Sequence, residues 1–168
     1  MTSARAQVVV LGIGNILLSD EGVGVRAIEA LRQRFDLPAD VNVIDGGTSA
    51  MELIDDLSRA KLLIVVDAVK AGRPPASIVH LSGNDVPVFF RSKLSPHQIG
   101  LSDVLASLEL LGEAPQETII VGIQPVSLSL GMELSGEVKA ILPEVVDLVV
   151  ADLRSHGIEV QSRRNFPA

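Results

Sequence analysis

The segment Leu62-Leu-Ile-Val-Val-Asp67 constrains the fold of this chain more than any other. An unbroken aliphatic run has no polar face, so a strand built from it is buried on both sides, as in a parallel sheet covered by helices. Val8 to Ile13 repeats the pattern and runs out among glycines. Val41 to Asp45, closed by Gly46-Gly47, and Glu117 to Ile123 add two more strands. Between them the apolar period changes to that of a helix. Val23, Ala27, Ile28, Leu31 and Phe35 mark one helix, and Met51, Leu53, Ile54 and Leu57 a short one that Thr48 or Ser49 can cap. Leu101, Val104, Leu105, Leu108 and Leu111 mark a third, stopped by Gly112.

The remaining stretches read less regularly. Ser77 to Leu81 is a short strand, too close to Asp67 for a parallel crossover, and is expected to run antiparallel to its neighbour. Ser82 to Leu94 reads as a loop in which Phe89 and Phe90 either pack underneath or offer a docking contact. A long helix from about Ser135 to Arg154 is expected to kink or divide at Pro143. Residues from about Gln161 read as a frayed tail.

Strand and helix in this alternation make an α/β fold, a three-layer α/β/α sandwich on a mixed, mostly parallel five-stranded sheet. Its 168 residues, 47% hydrophobic, suit one domain over 1–168 with a full core. With four Phe and neither Tyr nor Trp, that core is aliphatic. A net charge of −7 and the shortage of aromatics exclude a phosphate-backbone or base-stacking partner. The absence of cysteine excludes disulfides and thiolate metal sites, and fits a cytoplasmic address. The apolar amino-terminal stretch contains Asn15, lacks a small-x-small cleavage site and is too short to span a bilayer, so it reads as a strand and loop.

Doubly wound sheets bind ligands beyond the carboxyl ends of the strands, where chain direction reverses. With strands one and three as neighbours, Glu21 and Asp67 converge there. Glu21 taken alone reads first as an acid favouring a helix amino terminus, worth ~0.5 kcal/mol, although Asp20 fits that role better. Asp67 is either functional or an acid that bonds loop amides, because a carboxylate on so apolar a strand needs a partner. Ser95-Pro96-His97-Gln98 matches a capping box, which puts His97 in an exposed first helical turn. There the dipole is expected to hold its imidazole neutral, and its replacement is expected to leave stability nearly unchanged. Otherwise it is an ordinary surface histidine; His80 and His156 are expected to be solvated. A carboxylate pair plus an imidazole is a plausible oxygen-and-nitrogen set for a divalent transition metal. Gly12-Ile-Gly14 suggests a dinucleotide loop, but Leu17 occupies the third glycine position and acids follow, so close backbone packing explains it better.

The segments Gly12-Ile-Gly-Asn-Ile-Leu-Leu-Ser-Asp-Glu21, Asp45-Gly-Gly-Thr48 with Met51-Glu-Leu53, Val66-Asp-Ala68, Ser95-Pro-His-Gln-Ile-Gly-Leu-Ser-Asp-Val-Leu105 and Val121-Gly-Ile-Gln-Pro125 carry a family resemblance. In this order the chain resembles the nickel-iron hydrogenase maturation endopeptidases. The resemblance implies a phosphorylase/hydrolase-like α/β/α domain, and an aspartic-type endopeptidase that removes a carboxy-terminal extension from the nickel-loaded large subunit. It implies that Glu21, Asp67 and His97 bind nickel contributed by that substrate, and that Asp45 acts in recognition or cleavage. Asp45 is expected to face the same cleft as the three ligands, outside the metal's own shell. The expected partner is the precursor large subunit, with no nucleic acid, no membrane insertion and a monomeric protease. Two alternatives stay open: a nickel-binding checkpoint or chaperone that does not cut, and a small-molecule-binding α/β protein.

Overall fold

The structure, a computed structural model, describes residues 8–91 and 95–164. In chain order it contains β1 (Val8–Ile13), a 3-10 turn (Ser19–Gly22), α1 (Val23–Arg34), β2 (Phe35–Asp36) and β3 (Val41–Gly47). A second 3-10 turn (Ala50–Leu53), α2 (Ile54–Leu57), β4 (Leu62–Ala68), β5 (Ile78–Ser82), α3 (Asp85–Arg91) and α4 (Pro96–Leu110) follow. β6 (Glu117–Ile123), α5 (Gly136–Ser155) and β7 (Gln161–Ser162) complete it. The main sheet has the order β3-β1-β4-β6-β5 and is parallel except for β5. From β1 the chain winds outward to β3, then crosses back to β4, so the switch point lies between β1 and β4.

The aliphatic runs are buried as their composition requires: every residue of β1 and β4 is buried. Alternate residues feed two cores. Val8, Val10, Ile64 and Val66 pack with α1 and α5 on one face, and Val9, Leu11, Leu63 and Val65 with α2 and α4 on the other. Glycine lets α1 lie directly on the sheet. A Cβ on Gly24 would stand 2.1 Å from the Val66 carbonyl oxygen and 2.5 Å from that of Ile13, all rigid backbone. Gly24→Ala should therefore cost at least about 3 kcal/mol, the upper range for overpacking, read as a lowered midpoint in urea with unchanged slope. Gly12 has the same cause, its Cβ falling 2.3 Å from the Gly24 carbonyl oxygen, and this is the close packing expected of Gly12-Ile-Gly14.

Four expectations change. Ser82 to Leu94 is not all loop: α3 forms there, with Phe89 and Phe90 edge to face at 5.2 Å and packed against the α4-side core. Residues 92–94 lie outside the described residues. Pro143 does not divide α5, because Val138 on one side of it and Val145, Val146, Val149, Val150 and Leu153 on the other all lock into the α1-side core. Residues at 161–162 are not frayed but pair with β2, and Arg163 N–H donates to the Arg34 carbonyl at 2.9 Å; the end of the tail, 165–168, is outside the described residues. Ser49 occupies the cap position of the second 3-10 turn without a side-chain cap bond. The antiparallel strand β5 neighbours β6 at the sheet edge.

Candidate active site

The site is assembled at the carboxyl ends of β1 and β4. Gly14, at φ +132°, turns the chain so tightly that a Cβ would lie 1.9 Å from the Glu21 carbonyl oxygen and 3.7 Å from Asp67 Oδ1. The 3-10 turn then delivers Glu21, its side chain 19% exposed, beside the end of β4. Asp67 is almost fully enclosed, at 2%. α4 opens on the capping box read from sequence: Ser95 Oγ accepts from Gln98 N–H, Gln98 Oε1 accepts from Ser95 N–H at 3.0 Å, and Pro96 lies in the first turn. That start places His97 over the strand ends.

The three residues meet. His97 Nδ1 lies 3.2 Å from Glu21 Oε1, and Nε2 lies 3.2 Å from both Asp67 oxygens, so the imidazole bridges two carboxylates. Gln98 Nε2 donates to Asp67 Oδ2 at 2.6 Å and to the Ala68 carbonyl at 3.0 Å. His97 is thus buried, contrary to the exposed first turn expected for it. Burial pulls its pKa down, but the hydrogen bond and charge of Asp67 and the charge of Glu21 outweigh burial, and the net shift is upward. The lowering of the His97 pKa expected from the helix dipole is corrected accordingly: two carboxylates in contact raise it instead. Asp67 is also raised, because burial outweighs the opposing bonds and charge of His97 and the bonds from Gln98 and the Ala68 backbone.

A cavity of about 230 Å³ opens on this cluster, walled by Glu21, His97, Gln98, Lys70, Pro125 and Leu128. Asp67 lies behind His97. Among the described residues no three His, Asp or Glu side chains stand ready to hold a metal ion as they are placed. The reason is local: the two ring nitrogens of His97 are each spent on a different carboxylate.

Asp45 is exposed at the same end of the sheet, its Oδ1 accepting from Gly47 N–H at 3.0 Å, with Gly47 at φ +48°. It does not wall the cavity as expected. Its register partner is Gly12, whose Cβ direction meets Ile28 of α1, so the pleat sends Asp45 toward the α1 face. Asp67, two residues on from Val65 and so on the same side of the strand, points to the α4 face. His80 and His156 are not simply solvated: His80 pairs with Asp152 at 2.9 Å and His156 with Glu117 at 2.7 Å.

Two residues of consequence escaped the sequence. Gln98 had a visible capping role, but its second bond, to Asp67, joins residues distant in sequence. Asp20 is fully buried rather than a helix-terminal acid; its carboxylate accepts from the N–H groups of Val126, Ser127 and Ser135 and from Ser135 Oγ, at 2.8–3.0 Å.

The model of one family, described as hydrogenase maturation protease, matches residues 25–152. The chain belongs to that family. This maturation protease is 42% identical to the hydrogenase 2 maturation protease of Escherichia coli K12, over 94% of its own length and 96% of the relative's. It is 40% identical to the hydrogenase expression/formation protein HupD of Rhodobacter capsulatus, covering 92% of itself and 74% of that protein. The hydrogenase maturating endopeptidase HybD from E. coli superposes with a TM-score of 0.91, at 42% identity and coverage of 95% and 99%. The corresponding protease from Thermococcus kodakarensis superposes at 0.72, with 29% identity and coverage of 86% and 97%. The maturation protease is therefore a hydrolase acting on a peptide bond, on the fold its relatives share. Among the described residues no helix is long and apolar enough to cross a membrane.

Proposed function

We propose that this maturation protease removes the carboxy-terminal extension of the nickel-loaded large subunit of a nickel-iron hydrogenase, working as a monomer in the cytoplasm. The observation that carries the reading is the His97 imidazole held between Glu21 and Asp67 at the wall of a cavity. Carboxylate oxygen and imidazole nitrogen suit nickel in a partly open geometry. Each ring nitrogen of His97 has one carboxylate 3.2 Å away, so an ion taken by either nitrogen meets one carboxylate at hand and must draw in the other. Nickel is part of the substrate. In the free protease an ion must separate two internal pairs, so the empty site binds metal weakly. Ligands brought by the large subunit supply the difference, and this distinguishes loaded from empty precursor.

Asp45 serves this aspartic-type reaction from the neighbouring edge strand. It lies two strand spacings, about 10 Å, from β4. A peptide crossing the end of β1 covers that distance in about three extended residues. Nickel gripped at His97 then registers the scissile bond near Asp45, where the carboxylate anchors the peptide or takes a proton from water. A checkpoint without cleavage is not favoured, since the relatives are named as proteases and endopeptidases.

Incubating the protease with nickel-loaded precursor should shorten the large subunit by the mass of its extension; an intact subunit in the mass spectrum overturns the reading. Asp45→Asn should still retain loaded precursor on an affinity resin while cleaving about 100-fold or more slowly, the range for losing a positioned acid–base group. Cleavage at the wild-type rate reduces Asp45 to a turn-forming acid, and loss of binding as well makes it a recognition residue only.

A further inference from the structure

The buried carboxylate of Asp20 takes no part in the cluster around His97, and all its bonds go to the segment that follows β6. That segment is tied down at several more points. Ser19 N–H donates to the Gly131 carbonyl at 2.8 Å and Gly131 N–H to the Leu17 carbonyl at 2.9 Å. Ser19 Oγ donates to the Ser129 carbonyl at 2.6 Å, and Arg26 Nη2 to that of Met132 at 2.9 Å. Ser19 is held at φ +52°, a backbone state that persists only where its surroundings fix it. Residues 126–132 and 15–19 form one rigid loop pair.

The side chains of this pair are arranged opposite to those of an ordinary surface loop. Its polar groups are turned to holding the loops together. Four of its large apolar groups face water, Leu17 at 50% exposed, Val126 40%, Leu130 86% and Met132 59%, while Ile16, Leu18 and Leu128 are half-buried. Flexible loops can leave single apolar residues exposed at little consequence; a rigid loop pair presenting four is an interaction surface. Its position indicates the occupant. Pro125 and Leu128 of the same segment wall the cavity that holds Glu21 and His97. A chain end entering that cavity belongs to a folded subunit whose body must rest on the adjoining rim.

We propose that Leu17, Val126, Leu130 and Met132 form a preorganised apolar docking rim for the hydrogenase large subunit, meeting an apolar surface beside the extension. The rim rests on the function proposed above. It supplies affinity for the folded substrate, and the His97 cluster reads whether nickel is present.

The test is the double variant Leu130→Gln with Met132→Gln, assayed on nickel-loaded precursor beside wild type and a control, Leu110→Gln with Leu111→Gln. The control residues are 91% and 67% exposed on the far end of α4. The rim variant should raise KM for the precursor at least tenfold with kcat within twofold and an unchanged melting temperature, while the control leaves KM unchanged. Wild-type cleavage with an unaltered KM in the rim variant overturns the rim and leaves the proposed function standing. Failure of the wild type to cleave overturns both. A wild-type dimer that the rim variant splits, seen by sedimentation, assigns the surface to a second copy of this chain and also overturns the proposal.

Discussion

Replacing Asp20 with alanine should destabilise this maturation protease by about 4 kcal/mol, since three backbone N–H groups lose their acceptor and each such loss costs about 1–3 kcal/mol. For a domain of this size that corresponds to a fall in melting temperature of roughly 8–16 °C. The carboxylate is fully buried, so water does not already share these bonds in the folded protein. Asp20→Asn should fall between the two, because one oxygen can replace only part of a carboxylate that accepts through both. The loss should be local as well as global: amides of residues 126–135 should exchange faster with solvent than those of β4 in Asp20→Asn. An Asp20→Ala protein melting within about 2 °C of wild type, less than the shift from 1 kcal/mol, means that the loop does not depend on this acid.

His97→Ala should abolish processing and also lower stability by about 3 kcal/mol, the scale of breaking a buried pair by removing one partner. Asp67 would keep the Gln98 amide but lose the imidazole that answers its charge. The pH dependence has a definite sign. The His97 pKa is raised in the folded state above the ordinary histidine value of 6.5, so the stability it contributes is fully present below that pH. It is lost as pH rises through the folded-state value. The Asp67 pKa is raised above 3.8, so its protonated form is favoured by folding and its contribution likewise declines with rising pH. The stability difference between wild type and His97→Gln, measured by urea unfolding, should therefore be largest near pH 6 and shrink in more alkaline buffer. A difference that grows above pH 6.5 would show that the imidazole is not clamped between carboxylates. Full cleavage by His97→Ala would remove the residue from the reaction.

Much of this arrangement is local and can be read along the chain. The run Leu62 to Val66 has no polar face, so it could only be a doubly buried strand, and Asp67 had to emerge at its carboxyl end. The Ser95-Pro96-x-Gln98 spacing starts a helix through bonds that close within three residues, and these form as the sequence requires. Winding the strands in order then brings Glu21, Asp67 and His97 to one end of the sheet. Periodicity and short-range bonding determine strand identity, helix starts and the end at which each functional side chain appears.

What the sequence left open depends on partners far away along the chain. The tail at Gln161–Ser162 becomes ordered only because β2 is there to pair with it. Pro143 stays within one helix because valines on both sides of it lock into the same core. The choice of face for Asp45 was settled by its register opposite Gly12, where a shift of one residue reverses every side chain. The environment of His97 was decided the same way. A first-turn histidine is exposed on an isolated helix, but the end of β4 and the turn carrying Glu21 bury it and raise its pKa. Asp20 shows the limit most plainly, since the donors that satisfy it lie 106 to 115 residues away. The sequence determined which chemical groups this protein brings to the carboxyl end of its sheet; tertiary packing decided their partners, burial and charge, because those depend on contacts that no local pattern encodes.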